Sequence, residues 1–161
     1  MQYRPLGRTG LQVSAVALGT MTFGREADAA ESARIYQAAR EAGVNLIDTA
    51  DLYAYGDSER ALAPLIGAER EQIILASKAG TALGANPNHR GANRPHLVRS
   101  LHGSLARLGT DYLDLYYIHW PMKGRDMRPP MEAVVAAKEA GKVRAVGVSN
   151  FSVENMRQVG E

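Results

Sequence analysis

The sequence has no cysteine, and that absence removes disulfide bonds, thiolate nucleophiles and cysteine-ligated zinc together. Behind its first residues, MQYRPLGRTG, there is no apolar central run of the kind a signal peptide carries. Nowhere does hydrophobicity last the ~20 residues that a membrane span requires. A soluble, cytoplasmic protein with no membrane partner is expected. Charge of one sign is scarce as well. Nineteen Lys and Arg stand against seventeen Asp and Glu, a formal charge of +2, and no basic block is longer than two residues. That argues against a nucleic-acid partner. The remainder, 45% hydrophobic and 22% charged over 161 residues, is the composition of a folded domain with a real core.

Short apolar runs alternate with longer helical patterns. Strands are expected at 14–19, 44–50, 72–78, 111–119 and 143–150, each rich in β-branched or aromatic residues. The first helix is predicted to open at Asp28 with Glu31 as its reciprocal capping partner, to carry Ile35, Ala38, Ala39 and Ala42 on one stripe, and to end at Gly43. A short second helix follows Asp57 or Ser58 with Leu62, Leu65 and Ile66 inward, and Pro64 disturbs its ladder. A third begins near Pro95, with Leu97, Leu101, Leu105 and Leu108 on one side and Gly109 as its left-handed stop. The fourth opens at Pro129-Pro130 and closes at Gly141, and a fifth starts at Ser152. Strict strand–helix alternation implies right-handed βαβ units and a parallel sheet. Residues 3–14 read instead as a hairpin turning at Arg8-Thr9-Gly10.

Residues two apart on a strand share a face, which groups Leu46 with Asp48, Ala76 with Lys78, Tyr117 with His119 and Gly147 with Ser149. The terminal polar residues are spaced 30, 41 and 30 positions apart, at 48, 78, 119 and 149, close to one βα unit each. All four should reach one rim, where the carboxyl ends of parallel strands place ligand sites. Singly, each has an ordinary explanation: Asp48 a turn cap, Lys78 a solvated charge, His119 a satisfied core histidine, Ser149-Asn150 a loop before a helix. Four at one structural position favour a site. A lysine beside an aspartate stays charged, and a cation beside a phenol lowers a tyrosine from its ordinary pKa of about 10. A histidine at the mouth donates to a carbonyl oxygen. This set polarises a carbonyl and delivers a proton, but holds no hydride donor, so a bound cofactor must supply one.

The chain resembles the aldo-keto reductase superfamily. The resemblance is carried by LGRTGLQVSAVALGTMTFG (6–24), IDTADLYAYGDSE (47–59), the SK ending a strand (77–78), SLARLGTDYLDLYYIHWP (104–121) and GKVRAVGVSNF (141–151), five segments in order along nearly the whole chain. It implies that Asp48, Tyr53, Lys78 and His119 form the catalytic tetrad. Tyr53 holds the tyrosine's place, Ala54 replaces the glycine that usually follows, Tyr55 is a loop or packing residue and Asp51 a turn residue. By the same resemblance Gly19, Thr20 and Met21 line the nicotinamide end of NADP(H), with NAD(H) not excluded. Ser149 and Asn150 bind its carboxamide beside Asp48, and Trp120 walls the pocket of a small carbonyl substrate.

The implied fold is a partial (β/α)8 TIM barrel: about five βα units over 14–161 after an N-terminal β-hairpin at 3–14, together a single incomplete domain over 1–161. A full barrel takes about 250 residues. Three units are therefore expected to be missing, with the pocket for the adenosine 2′-phosphate, and the isolated polypeptide is expected to be inactive or nearly so. Two open sheet edges and lumen-facing Leu46, Ile74 and Leu115 would then invite self-association. The leading function is nicotinamide-dependent reduction of aldehydes or ketones to alcohols. A Schiff-base aldolase using Lys78 is disfavoured, because Asp48 keeps the amine protonated. A nucleotide-binding regulatory subunit on the same scaffold is the other alternative.

Overall fold

The computed structural model describes residues 1–160. An antiparallel pair, β1 (Tyr3–Pro5) and β2 (Gln12–Ser14), precedes five parallel strands: β3 (Ala17–Gly19), β4 (Leu46–Asp48), β5 (Ile74–Ala79), β6 (Leu113–Ile118) and β7 (Val143–Val148). The helices α1 (Ala29–Glu41), α2 (Asp57–Ile66), α3 (Arg94–Leu108), α4 (Arg128–Glu139) and α5 (Val153–Gly160) follow strands β3 to β7 in turn. The sheet order β3-β4-β5-β6-β7 is the chain order, without reversal. A doubly wound open sheet reverses direction at a switch point, whereas a barrel winds one way. The architecture is thus a partial (β/α)8 barrel headed by a hairpin.

The strands are shorter than the apolar runs that predict them, and the first run divides. Residues 12–14 join the hairpin and 17–19 the barrel, because Ser14 and Asn45 take over backbone bonding where the chain crosses between them. Asn45 Oδ1 accepts from the Ser14 N–H at 2.7 Å, and Ser14 Oγ accepts from the Asn45 N–H at 3.1 Å. The hairpin loop is also wider than a turn at Arg8-Thr9-Gly10. The Leu6 N–H reaches the Leu11 carbonyl at 2.8 Å, and both leucines pack against a lumen cluster of Ala76, Leu115 and Ala145. The hairpin therefore seals this end of the lumen. Leu115 is buried rather than exposed, and Leu46 and Ile74 are half-buried.

Helix boundaries follow local chemistry. Asp28 Oδ1 accepts from the Glu31 N–H at 2.8 Å, but the capping box is only half formed, since the Glu31 carboxylate pairs with Arg34. Asn93 rather than Pro95 caps α3, accepting from the His96 N–H at 2.9 Å. Pro64 lies exposed near the end of α2, which runs two residues further before tightening into a 3₁₀ segment at Gly67–Gln72. The main core lies between sheet and helices, where Ile47, Leu75, Tyr116 and Ile118 meet Leu62, Ile66, Leu97, Leu101 and Val134. One charge enters it by being fully partnered. Asp114 accepts from Arg70, Arg144 and the Leu75 N–H at 2.8, 2.8 and 2.9 Å. Among the described residues no helix is long and apolar enough to cross a membrane.

Candidate active site

Parallel pairing puts the carboxyl ends of all five strands on one rim. Gly19 and Asp48 close β3 and β4 in register with each other, and Asp48 pairs with Ala76 two residues before Lys78. Lys78 in turn pairs with Tyr117, and Tyr117 with Gly147, so His119 and Ser149 each emerge two residues on. Gly147 leaves room at this crossing: a side-chain carbon there would stand 2.8 Å from the Tyr117 ring.

Lys78 is the hub. Its ammonium carries three N–H bonds and no acceptor, and all three are used: to Asp48 Oδ2 at 2.6 Å, the Thr49 carbonyl at 2.9 Å and the Tyr53 hydroxyl oxygen at 3.0 Å. With only 7% of its surface exposed, the lysine has little freedom. Because the Tyr53 oxygen accepts from Lys78, the phenol's own hydrogen is left to donate elsewhere. The His119 ring meets Tyr53 edge-on, 5.9 Å between centroids at 81°. Burial, then the Lys78 charge, holds the imidazole below its ordinary pKa against an opposing pull from Asp48. His119 is therefore neutral at neutral pH, with Nδ1 shielded and without a hydrogen-bond partner among the described residues.

Tyr53 is held there by an unusual turn. Ala54, Tyr55 and Gly56 are consecutively left-handed, with φ of 47°, 53° and 92°. Only glycine adopts that region without strain, and an L-residue pays roughly 1–2 kcal/mol there. Tyr55 projects into solvent at the apex.

The other rim residues divide. Gly19 and Met21 are exposed at the mouth, as is Trp120. Ser149 is half-buried. Asn150 donates through Nδ2 to the His119 carbonyl at 2.9 Å and to Ser149 Oγ at 3.0 Å, leaving its amide oxygen and the Ser149 hydroxyl hydrogen for a partner. Thr20 is the exception. Fully buried, it shares an interior hydroxyl cluster with Ser58 and Thr49, its Oγ1 lying 2.9 Å from Ser58 Oγ, and it presents no surface at the mouth.

Behind the rim lies a second set of polar groups. Glu59 is buried and bonded to Ser77 Oγ at 2.7 Å and Arg107 Nε at 2.7 Å. Asp51 is a turn residue, as expected, but a buried one, 1% exposed. No hydrogen bond reaches either carboxylate oxygen in good geometry. Burial, opposed mainly by the nearby Ser100 hydroxyl, pushes its pKa from 3.8 up to about 7. A sequence signal exists for Glu59: it falls on the stripe shared by Leu62 and Ile66, where helical spacing calls for an apolar residue.

Singly wound βα units with Lys78, Asp48, Tyr53 and His119 gathered at the carboxyl rim define a partial-barrel α/β protein with a polar cluster at its strand ends. Residues 15–161 match the Aldo/keto reductase family, and the chain belongs to that family. It is 39% identical to the aldo-keto reductase YhdN of Bacillus subtilis, over 97% of this chain and 49% of that protein. It is 40% identical to a probable voltage-gated potassium channel subunit beta of Oryza sativa, over 98% of this chain and 49% of that one. The solved structure of the aldo-keto reductase AKR11C1 from Bacillus halodurans in its holo form superposes with a TM-score of 0.87 at 31% identity, covering 98% of this chain and 53% of that one. The chain spans about half the length of these relatives.

Proposed function

We propose that this chain carries the catalytic part of a nicotinamide-dependent reductase that converts aldehydes or ketones to alcohols, with Tyr53 as proton donor. The observation that carries the reading is the Lys78 ammonium, shared among Asp48, Thr49 and the Tyr53 oxygen at 2.6, 2.9 and 3.0 Å. That arrangement turns the phenol hydrogen towards a substrate oxygen. It also puts a fixed positive charge against the phenolate left when the proton departs. Asp48 keeps the ammonium charged and oriented. Neutral His119 offers an imidazole N–H to the same carbonyl oxygen, adding a donor without a competing charge.

The donor set fits NADP(H), or NAD(H) with the same nicotinamide end. The Asn150 amide oxygen and the Ser149 hydroxyl match a carboxamide's donor and acceptor. Space is open at Gly19, where an added side-chain carbon meets nothing within 4 Å, and Met21 and Trp120 flank the mouth. When bound, the cofactor would supply the hydride. Thr20 enters only by shaping the turn from inside.

Tyr53→Phe tests the reading. The expected result is a fall of about 10²–10⁴ in kcat for an aldehyde with the cofactor's affinity retained, measured by NADPH consumption and fluorescence titration. Unchanged turnover would defeat it. The rice relative's name supports a second reading, a nucleotide-binding regulatory subunit on the same scaffold. That reading predicts cofactor binding by the unsubstituted chain with no turnover of any aldehyde.

A further inference from the structure

After β5 the chain does not enter α3 directly. Residues 80–93 run outward and return against the segment that follows β6, so that a side-chain carbon at Gly91 would stand 3.1 Å from Met122 Sδ. Between them lies a cavity of about 620 Å³ whose walls include Gly80, Thr81, Arg90, Met122 and Arg125. That is a size suited to a small organic ligand. One of its walls, Gly80, adjoins the strand ends that carry Lys78 and His119. A carbon at Gly80 would be 3.6 Å from the His119 backbone nitrogen, and Gly80 is two residues, about 7 Å of extended chain, beyond Lys78.

The cavity is positively charged. No acid occurs anywhere from 79 to 110, and Asp126 is the one acid between 119 and 131. Asp126 is already taken by the Arg128 side chain, whose Nε and Nη2 reach its carboxylate at 3.0 and 2.7 Å. Among the described residues the Arg125 side chain makes no ion pair, and that of Arg90 makes only a bond of 3.3 Å to the Gly84 carbonyl. Guanidinium groups are permanently charged forks that match carboxylate and phosphate oxygens. Both side chains are solvent-exposed, so their attraction for an anion is weakened by salt.

We propose that this cavity is an anion subsite, and that the substrate is an aldehyde or ketone bearing a carboxylate or phosphate remote from its reactive carbonyl. Arg90 and Arg125 hold the anion, and the carbonyl oxygen is left to Tyr53 and His119. The carbonyl end of this inference rests on the reductase reading above. The anion end rests on the cavity alone.

The test reads the two ends separately. The chain is titrated calorimetrically with 4-formylbenzoate, 4-formylphenyl phosphate and uncharged 4-methylbenzaldehyde. The anions are expected to bind at least about tenfold more tightly than the neutral aldehyde. The preference should fall as salt rises, and R90Q/R125Q should abolish it, with the melting transition as a control for folding. Inorganic phosphate should displace 4-formylbenzoate from the unsubstituted chain, which decides the question without a variant. Equal binding of charged and neutral aldehydes, or a preference that R90Q/R125Q leaves intact, overturns the subsite. Turnover is scored apart. Reduction of all three aldehydes without preference keeps the reductase and loses the subsite, whereas binding of anions through both arginines with no reduction of any aldehyde keeps the subsite and loses the reductase.

Discussion

Asp48 and Asp51 leave the same turn three residues apart and meet opposite treatment. Asp48 faces the lumen, its side chain 29% exposed, and receives the Lys78 ammonium at 2.6 Å. Asp51 enters the layer between sheet and helices, 1% exposed, facing Glu59 from α2, Ser100 and Arg107 from α3 and Tyr116 from β6 without a bond of good geometry to either oxygen. The half-exposed acid is the satisfied one. On the lumen side the Lys78 ammonium spends all three of its hydrogens, on Asp48, Thr49 and Tyr53. On the helix side Glu59 and Asp114 draw in arginines, whereas packing leaves Asp51 without a cation and burial raises its pKa instead.

The sharpest way to break this contrast is to remove the hub. Lys78→Met leaves Asp48 partly solvated, so the fold survives, while the Tyr53 oxygen loses its only bond. The expected fall in kcat/KM is about 10²–10⁴. Because Lys78 acts through Tyr53, K78M/Y53F should be little worse than either single variant. Additive losses in that cycle would show that the two residues work independently.

On the other side the expected damage is to stability. Glu59→Ala strands Arg107, whose side chain is only 21% exposed, and removes the acceptor of Ser77. Breaking one partner of a buried pair costs about 3–5 kcal/mol, read as a lowered midpoint in urea with an unchanged slope. A loss under ~1 kcal/mol would mean that water replaces the carboxylate, and that this layer is wetter than its burial indicates.

The two sides also differ in how plainly the sequence shows them. The rim is legible because chain order is spatial order in a singly wound barrel. Polar residues at 48, 78, 119 and 149 end successive runs, and alternation alone places them together. The helix-side network is not, because its bonds join residues 18 and 48 positions apart, Glu59 to Ser77 and to Arg107, with no periodicity connecting them. The burial of Thr20 is hidden for the same reason, since Ser58 meets it from 38 residues away. The division of the first strand turns on two short side chains, Ser14 and Asn45, whose bonding no propensity describes. The cover over Leu115 comes from Leu6 and Leu11 of the hairpin, whose long-range partners no periodicity indicates.

Asp51 gives a smaller effect with a definite pH sign. Its folded pKa of about 7 lies above the ordinary 3.8. Its contribution to stability is therefore complete below about pH 4 and drains away as the pH rises through 7, when a charge is left buried. Between pH 5 and 8 the unsubstituted chain should lose roughly 2–3 kcal/mol more than Asp51→Asn, which cannot ionise. Parallel stability–pH curves for the two proteins would mean that Ser100 and the Leu52 N–H hold the carboxylate ionised. Asp51 would then resemble Asp48 after all.

The smallest effect lies between the two acids and the phenol they flank. Ala54 sits at φ 47° and ψ 36° where glycine is at ease, and glycine is the residue that relatives of this motif commonly place there. Ala54→Gly relieves about 1 kcal/mol of left-handed strain and gives back roughly 0.4–1 kcal/mol through a floppier unfolded chain. The net change in stability should thus lie between zero and about 0.6 kcal/mol stabilising. The informative measurement is the ratio of kcat to stability. If alanine's restriction keeps the Tyr53 oxygen at its 3.0 Å distance from Lys78, Ala54→Gly lowers kcat a few-fold, by about 1 kcal/mol, while stability holds or rises. If the three bonds of Lys78 fix the phenol unaided, kcat does not move, and the strain in the turn is a residue of sequence with no part in the chemistry.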